Sequence, residues 1–288
     1  MSIIKDQAEN LRKTFSKNRT KIILVTGGKG GVGKSIVAVN TAVNLAKMNK
    51  NVLIFDTDAG FANASILLGV SPSVSIKDYF DKKLTMEECI IKTPYGIKLL
   101  STGMDIKDWI SFQKNFTRKA IEEFFNIAKE HDYVIIDVSA GYNENLKPFY
   151  IAADNILLVT TPEPTAIVNA YTVVKALSIL EVDGVIDVVI NMIRKKSEAA
   201  TAEQVLRKTI KEYLFKDIRN VFYINFDHLV HDSVKSQTPI SSFKPSSHVA
   251  NDLMLIAEKI ENMDASPENK SNDNLLKKLL LLFGFYNR

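Results

Sequence analysis

A chain of 288 residues, 46% hydrophobic and 24% charged, has the make-up of a globular protein, with room for one large α/β domain and short extras at its ends. Its net charge is only +4, with Lys and Arg scattered, which argues against a dedicated nucleic-acid-binding surface. Cys89 is the sole cysteine, so an internal disulfide is excluded; we expect a cytoplasmic setting, no signal peptide and no membrane-spanning segment.

The first apolar pattern is Ile4, Ala8, Leu11 and Phe15, whose spacing makes one helical stripe, too short to be stable unless it folds on a partner or on its own domain. Lys21-Ile22-Ile23-Leu24-Val25-Thr26 reads as a buried strand, and Ser35 to Met48 as a helix with Val37, Thr41, Leu45 and Met48 along one side. Between them stands Gly28-Lys29-Gly30-Gly31-Val32-Gly33-Lys34-Ser35, a glycine, four residues, then Gly-Lys-Ser. Such a loop turns its N–H groups inward around phosphate oxygens, and the following helix end adds partial positive charge. Lys34 is then expected to reach the terminal phosphates and Ser35 to place its hydroxyl on Mg²⁺. Lys29 is not needed for the turn. Without an anion between them, Lys29 and Lys34 would repel by about 4 kcal/mol at about 4 Å.

Further along, strands are expected at Val52 to Asp56, Ile97 to Leu100, Tyr133 to Asp137, Ile156 to Thr160, Asp187 to Asn191 and Val221 to Ile224. Helices are expected at Thr117 to Lys129, Ala166 to Leu180, Ala202 to Leu214 and Ser247 to Ile260. The alternation predicts an α/β fold, a mostly parallel sheet with helices on both faces and ligand chemistry at the strands' C-terminal ends. Asp56 and Asp58, two apart on an extended strand end, would point the same way, towards the phosphates. Cys89 is expected to pack as a small apolar residue. Asp264 to Asp273 lacks large apolar residues and reads as a linker. After it, Leu275, Leu276, Leu279, Leu282, Phe283 and Tyr286 share one helical face, with Lys277 and Lys278 available to anionic headgroups. That segment suits a membrane surface, or an apolar groove on this domain or a second copy.

Lys-Gly-Gly-Val-Gly-Lys-Ser, with its extra lysine, resembles the deviant phosphate loop of the MinD/ParA class of P-loop ATPases. The resemblance covers roughly Lys21 to Ile260 and implies a P-loop NTPase of MinD type that dimerises with ATP. It implies that Lys29 crosses the dimer interface to the partner's phosphates. Leu53-Ile54-Phe55-Asp56-Thr57-Asp58 is similar to the class's switch I, which implies that Asp58 handles the attacking water and Asp56 helps hold the Mg²⁺ hydration shell. Ser65 stands where relatives carry an aspartate. Tyr133 to Gly141 resembles a Walker B strand running into switch II, with Asp137 near Mg²⁺ and Gly141 approaching the γ-phosphate. Asn191 matches the position that reads adenine, its amide offering donor and acceptor. No aspartate of the guanine-reading kind adjoins it, which favours ATP. The single cysteine speaks against the iron–sulfur relatives, which use cysteine pairs.

Thr160-Thr161-Pro162-Glu163-Pro164-Thr165-Ala166, Asn169-Ala170-Tyr171, Asn191-Met192-Ile193-Arg194 and Asp227 are similar to the FlhG (YlxH, FleN) family of flagellar-number regulators, although Asn225 replaces a common proline. Asp6-Gln7-Ala8-Glu9-Asn10-Leu11-Arg12 resembles the element with which that family binds and activates FlhF, a signal-recognition-type GTPase. The partner-binding residues implied are Asp6, Gln7, Ala8, Leu11 and Arg12, with Gln7 entering the GTPase site. The C-terminal helix is similar to the family's membrane-targeting helix. The organisation expected is a partner-binding segment at 1–20, the ATPase domain at 21–262, a linker at 263–273 and the amphipathic helix at 274–288. The function implied is an ATP-controlled switch, peripheral on the inner face of the cell membrane, that sets flagellar number and placement. A partition ATPase of ParA type and a nucleotide-binding scaffold share much of the pattern.

Overall fold

In a computed structural model of the chain, the structure describes residues 20–57, 63–102, 123–124, 126–141, 150, 153–180, 182 and 184–262. Eight strands among them form one sheet in the order β3-β4-β2-β5-β1-β6-β7-β8. These are β1 (Lys21–Thr26), β2 (Val52–Asp56), β3 (Ile91–Lys92), β4 (Lys98–Ser101), β5 (Tyr133–Asp137), β6 (Asn155–Thr160), β7 (Val185–Ile193) and β8 (Val221–Asn225). Every pairing is parallel except β3 with β4. The short antiparallel β3 was not foreseen, because two residues carry no readable period.

Side chains alternate strictly across the sheet. Ile22, Leu24, Val134, Ile136, Ile156, Leu158, Val188 and Ile190 face one way and pack under α4 (Pro164–Ile179) and α5 (Lys196–Leu214). Ile23, Val25, Ile54, Ile135, Leu157, Val159 and Val189 face the other way, under α1 (Lys34–Lys47) and α8 (His248–Asn262). Both faces are therefore dry, which is why these strands read as continuous apolar runs. Each fully buried aliphatic contributes about 1.5–3 kcal/mol of burial free energy.

Three expectations need correction. Helix α1 is not buried along one side only, since every residue from Val37 to Leu45 is buried. The sheet covers its inner face and α8 packs on it from outside. Helix α5 starts at Lys196 rather than Ala202, its first turn being polar and exposed and so lacking an apolar signal. Strand β7 runs to Ile193, past the expected Asn191, through an irregularity in its pairing with β8 between Ile190 and Ile193. Of the helix expected at Thr117 to Lys129, residues 123–124 and 126–129 are described; 123–124 and 126–128 are helical, and Lys129 already lies in a turn. Short helices complete the described fold: α2 (Asn63–Leu67), α3 (Ile76–Phe80), α6 (His228–Lys235) and α7 (Ile240–Phe243). Cys89 is fully buried in the core, and burial pushes its thiol up to about 11, so it is inert packing.

Candidate nucleotide-binding site

The sheet order fixes where a ligand can sit. From β1 the chain crosses to β2 on one side, and from β6 to β7 on the other. The C-terminal ends of β1 and β6 thus border a topological switch point, the place where open parallel sheets bind ligands. The glycine loop leaves β1 there and enters α1 through Gly33, whose φ of 96° is left-handed. Gly31 is left-handed too, at 79°. Both conformations strain any residue with a Cβ.

The loop's glycines divide by what surrounds them. A Cβ on Gly28 would lie 2.2 Å from the carbonyl carbon of Asn169 in α4, and one on Gly33 2.3 Å from Nδ2 of Asn191. Those two are glycine because neighbouring elements press on them. A Cβ on Gly30 or Gly31 would meet nothing within 4 Å, so that limb of the loop faces open space. Helix α1 has no side-chain cap and no acidic residue in its first turn. Its N-terminal amides and the buried Lys34 therefore present uncompensated positive charge, the condition for binding an anion. Val32 turns its side chain into the core and gives its carbonyl to Asn191.

Around this loop lies a cavity of about 810 Å³, lined by Gly30, Gly31, Gly33, Lys34, Ser35, Ala140 and Asn191 among others. Asp56 and Asp137 are buried partners in the register of β2 and β5, next to β1. The Asp56 carboxylate accepts the amide of Ala64 in α2 at 3.2 Å, so it also starts that helix. With the Ser35 hydroxyl these two supply hard oxygen donors only, a set that fits Mg²⁺ and no soft metal. Asp137 also fixes the chain after β2, its carbonyl accepting from the backbone N–H and the hydroxyl of Thr57. Gly141, left-handed with φ 84°, donates its N–H to the Gly27 carbonyl at 2.7 Å.

Asn191 lines the cavity, buried, with Nδ2 donating to the Val32 carbonyl at 2.9 Å and Oδ1 accepting from the Met192 N–H at 2.8 Å. One N–H and one lone pair of the amide remain for a base edge. The irregularity in β7 leaves Met192 left-handed at φ 59°, and Met192 and Phe226 line the cavity beside Asn191. Arg194 lies over the Phe226 ring, 3.7 Å from its centre. Sequence reasoning gave Met192 and Phe226 no role in the site, for want of a readable bulge. Glu163, whose partner no local pattern reveals, pairs with Lys29. Lys29 does not line the cavity; its Nζ lies 2.7 Å from Glu163 Oε2 and 3.4 Å from Thr165 Oγ1, at the start of α4.

Asp58 lies outside the described residues, as do Asp6, Gln7, Ala8, Leu11 and Arg12. So do Leu275, Leu276, Lys277, Lys278, Leu279, Leu282 and Phe283. Among the described residues no helix is long and apolar enough to cross a membrane, and no group of three or more His, Cys, Asp and Glu side chains is placed to hold a metal ion.

The ParA family model, described as NUBPL iron-transfer P-loop NTPase, matches residues 18–261. The antiactivator FleN of Pseudomonas aeruginosa is 27% identical over 252 residues, 88% of this chain and 90% of the relative. The flagellum site-determining protein YlxH of Helicobacter pylori is 34% identical over 162 residues, 56% of this chain and 54% of the relative. Among solved structures, the cell division ATPase MinD of Pyrococcus furiosus superposes with a TM-score of 0.70 at 26% identity, covering 84% of this chain and 99% of that one. MinD of Pyrococcus horikoshii, complexed with Mg-ADP, also gives 0.70, at 24% identity, over 86% of this chain and 98% of that one. Switch-point loop, oxygen-only donor set and these likenesses agree: the chain belongs to the MinD/ParA family of P-loop ATPases.

Proposed function

We propose that this ATPase is a dimerising, membrane-visiting switch that regulates flagellar number and placement, as its likeness to FleN and YlxH supports. The observation that carries the switch reading is the place of Lys29. It stands outside the cavity of its own loop, on a side chain 43% exposed, where a second copy could receive it. Two subunits face to face would then each bind ATP on their own loop and lend Lys29 to the other.

Within one subunit the roles follow from the site. The loop amides and Lys34 hold the phosphates, and Asn191 reads the adenine edge. Mg²⁺, held by Ser35 with Asp56 and Asp137 close by, would neutralise phosphate charge. Asp58 would orient the attacking water. Asp6, Gln7, Ala8, Leu11 and Arg12 would engage an FlhF-type GTPase, with Gln7 acting in its site. The helix at 274–288 would bind anionic lipid. One such helix holds weakly, and pairing two in the ATP dimer makes the contact firm. The protein would then be cytoplasmic and reversibly peripheral on the inner face of the cell membrane.

The test is co-sedimentation with anionic vesicles, with ATP or ADP, for the full chain, for Leu279→Glu and for a chain ending at Asp273. ATP should raise retention of the full chain alone. Equal retention with both nucleotides, or undiminished retention of the truncated chain, would sink the membrane switch. Salt-sensitive retention on DNA instead would favour a partition role.

A further inference from the structure

A buried polar relay runs beneath the phosphate loop. Thr26, the last residue of β1, is 0% exposed, and its Oγ1 lies 3.0 Å from the hydroxyl of Tyr150, also 0% exposed. The same hydroxyl lies 3.4 Å from the carbonyl oxygen of Gly141. A phenol has one proton and the carbonyl can only accept, so Tyr150 donates to Gly141 and accepts from Thr26. Gly141 is thereby held at both of its peptide groups. Its carbonyl is tied through Tyr150 to the end of β1, and its N–H is tied directly to Gly27 at 2.7 Å.

We propose that Tyr150 is a positioning residue that sets how readily Gly141 turns from Gly27 to the γ-phosphate, an inference that rests on the reading of Gly141 as a γ-phosphate ligand. One N–H cannot serve the Gly27 carbonyl and a phosphate oxygen at once. ATP must therefore draw Gly141 away from Gly27, and ADP, lacking the third phosphate, makes no such demand. The affinity for ATP carries the cost of opening this clamp and the affinity for ADP does not. Tyr150 thus tunes how strongly the protein distinguishes the two nucleotides, although it touches neither. The left-handed φ of Gly141 fits this role, because only glycine pivots there without strain.

Tyr150→Phe keeps the buried ring and removes only the hydroxyl. The long bond to Gly141 is a weak one, so a change of about two- to fivefold is expected. Titrating the full chain with a non-hydrolysable ATP analogue and with ADP, Tyr150→Phe should bind the analogue about two- to fivefold more tightly and ADP unchanged. In steady-state hydrolysis the gain should fall on KM rather than kcat, a split that general loosening of the core would not produce. An unchanged analogue-to-ADP ratio in a folded Tyr150→Phe protein overturns the relay; if Gly141→Ala leaves the ratio unchanged as well, the reading of Gly141 as a γ-phosphate ligand falls too. Failure of the wild type to bind either nucleotide overturns the site reading and the relay with it. Should Tyr150→Phe not fold, Thr26→Val removes the bond that ties the hydroxyl to the end of β1. It should shift the ratio the same way by less, and no shift there overturns the relay.

Discussion

Lys29 and Glu163, 134 residues apart in sequence, form an ion pair of 2.7 Å that joins the outer limb of the phosphate loop to the start of α4. Directly behind it, Gly28 lies so close to Asn169 that no Cβ would fit. Loop and helix are thus coupled twice, by a charge pair at the surface and by backbone contact beneath it.

The pair itself should be dispensable for folding. Its side chains are 43% and 64% exposed, and surface pairs are worth about 0–1 kcal/mol. Glu163→Gln should leave the melting temperature nearly unchanged while freeing Lys29, so ATP-dependent dimers should form at lower protein concentration. Lys29→Ala should fold as well and form no ATP-dependent dimer. Size-exclusion chromatography with ATP across a concentration series checks both. Normal dimerisation of Lys29→Ala would remove the case for a lysine that crosses the interface.

Gly33 allows a sharper test of the loop. Its left-handed φ of 96° and the 2.3 Å approach to Asn191 act together against any side chain. Gly33→Ala should cost about 1–3 kcal/mol in stability and reduce ATP affinity about tenfold or more, since it both strains the loop and displaces the Asn191 amide proposed to read the base. Gly96 has a similar φ of 75° but open space around it. Gly96→Ala should therefore cost less and leave ATP binding intact. Equal effects of the two on ATP binding would show that backbone strain alone, not the contact with Asn191, shapes the site.

The loop and both carboxylate-tipped strands were legible because a motif of fixed spacing lay between elements of unmistakable period. Val52 to Asp56 and Tyr133 to Asp137 came out with the bounds expected of them. Elements made by tertiary contact were not legible. Helix α6, with polar residues at five of its eight positions, is too short and polar to read from pattern, although Asp227 caps it by accepting the N–H of Leu229. Helix α3 carries a readable sign, the capping box of Ser75 and Asp78, but only five helical residues follow Ser75, too few to show a period. The partner of Lys29 could not be read at all. A contact across 134 residues leaves no trace in local pattern.

His131 gives the fold a pH dependence of known sign. It is buried before β5, with Nδ1 2.7 Å from the Ile127 carbonyl and Nε2 buried without a partner. Burial lowers its pKa below 6.5, with Lys98 adding to this and the Ile127 carbonyl, Glu130 and Asp132 opposing it. The unfolded chain, with an ordinary histidine near 6.5, takes up the proton first as pH falls. Stability is therefore full above about 6.5 and declines as pH drops from there towards the lowered folded value. Urea midpoints should fall between pH 7.5 and 5.5 in the wild type and fall less in His131→Asn, which keeps a donor but cannot titrate. The other histidines, His228, His231 and His248, are exposed. An equal fall in both proteins would assign the effect elsewhere.

Asp187 offers the complementary case, a buried charge that the fold satisfies completely. Its Oδ1 accepts from Arg219 Nε at 3.0 Å and from the backbone and side chain of Asn220 at 3.1 and 2.8 Å. Its Oδ2 accepts from Arg219 Nη2 and from Asn155 at 3.1 Å. One carboxylate thus joins the start of β6, the body of β7 and the approach to β8. Asp187→Ala leaves Arg219, only 31% exposed, without its partner, and strips two asparagines of their acceptor. Removing one member of such a pair costs about 3–5 kcal/mol, and the partial exposure of Arg219 puts this case at the lower end. Replacing both, as Asp187→Leu with Arg219→Met, should recover part of that loss, because no unpaired charge remains. Since the network lies towards the strand starts and the nucleotide site at their C-terminal ends, ATP affinity measured well below the melting temperature should not change. Urea midpoints with nucleotide titrations at low temperature check both halves. A loss of ATP affinity in folded Asp187→Ala would show that the network reaches the site and is more than a fastening of the sheet.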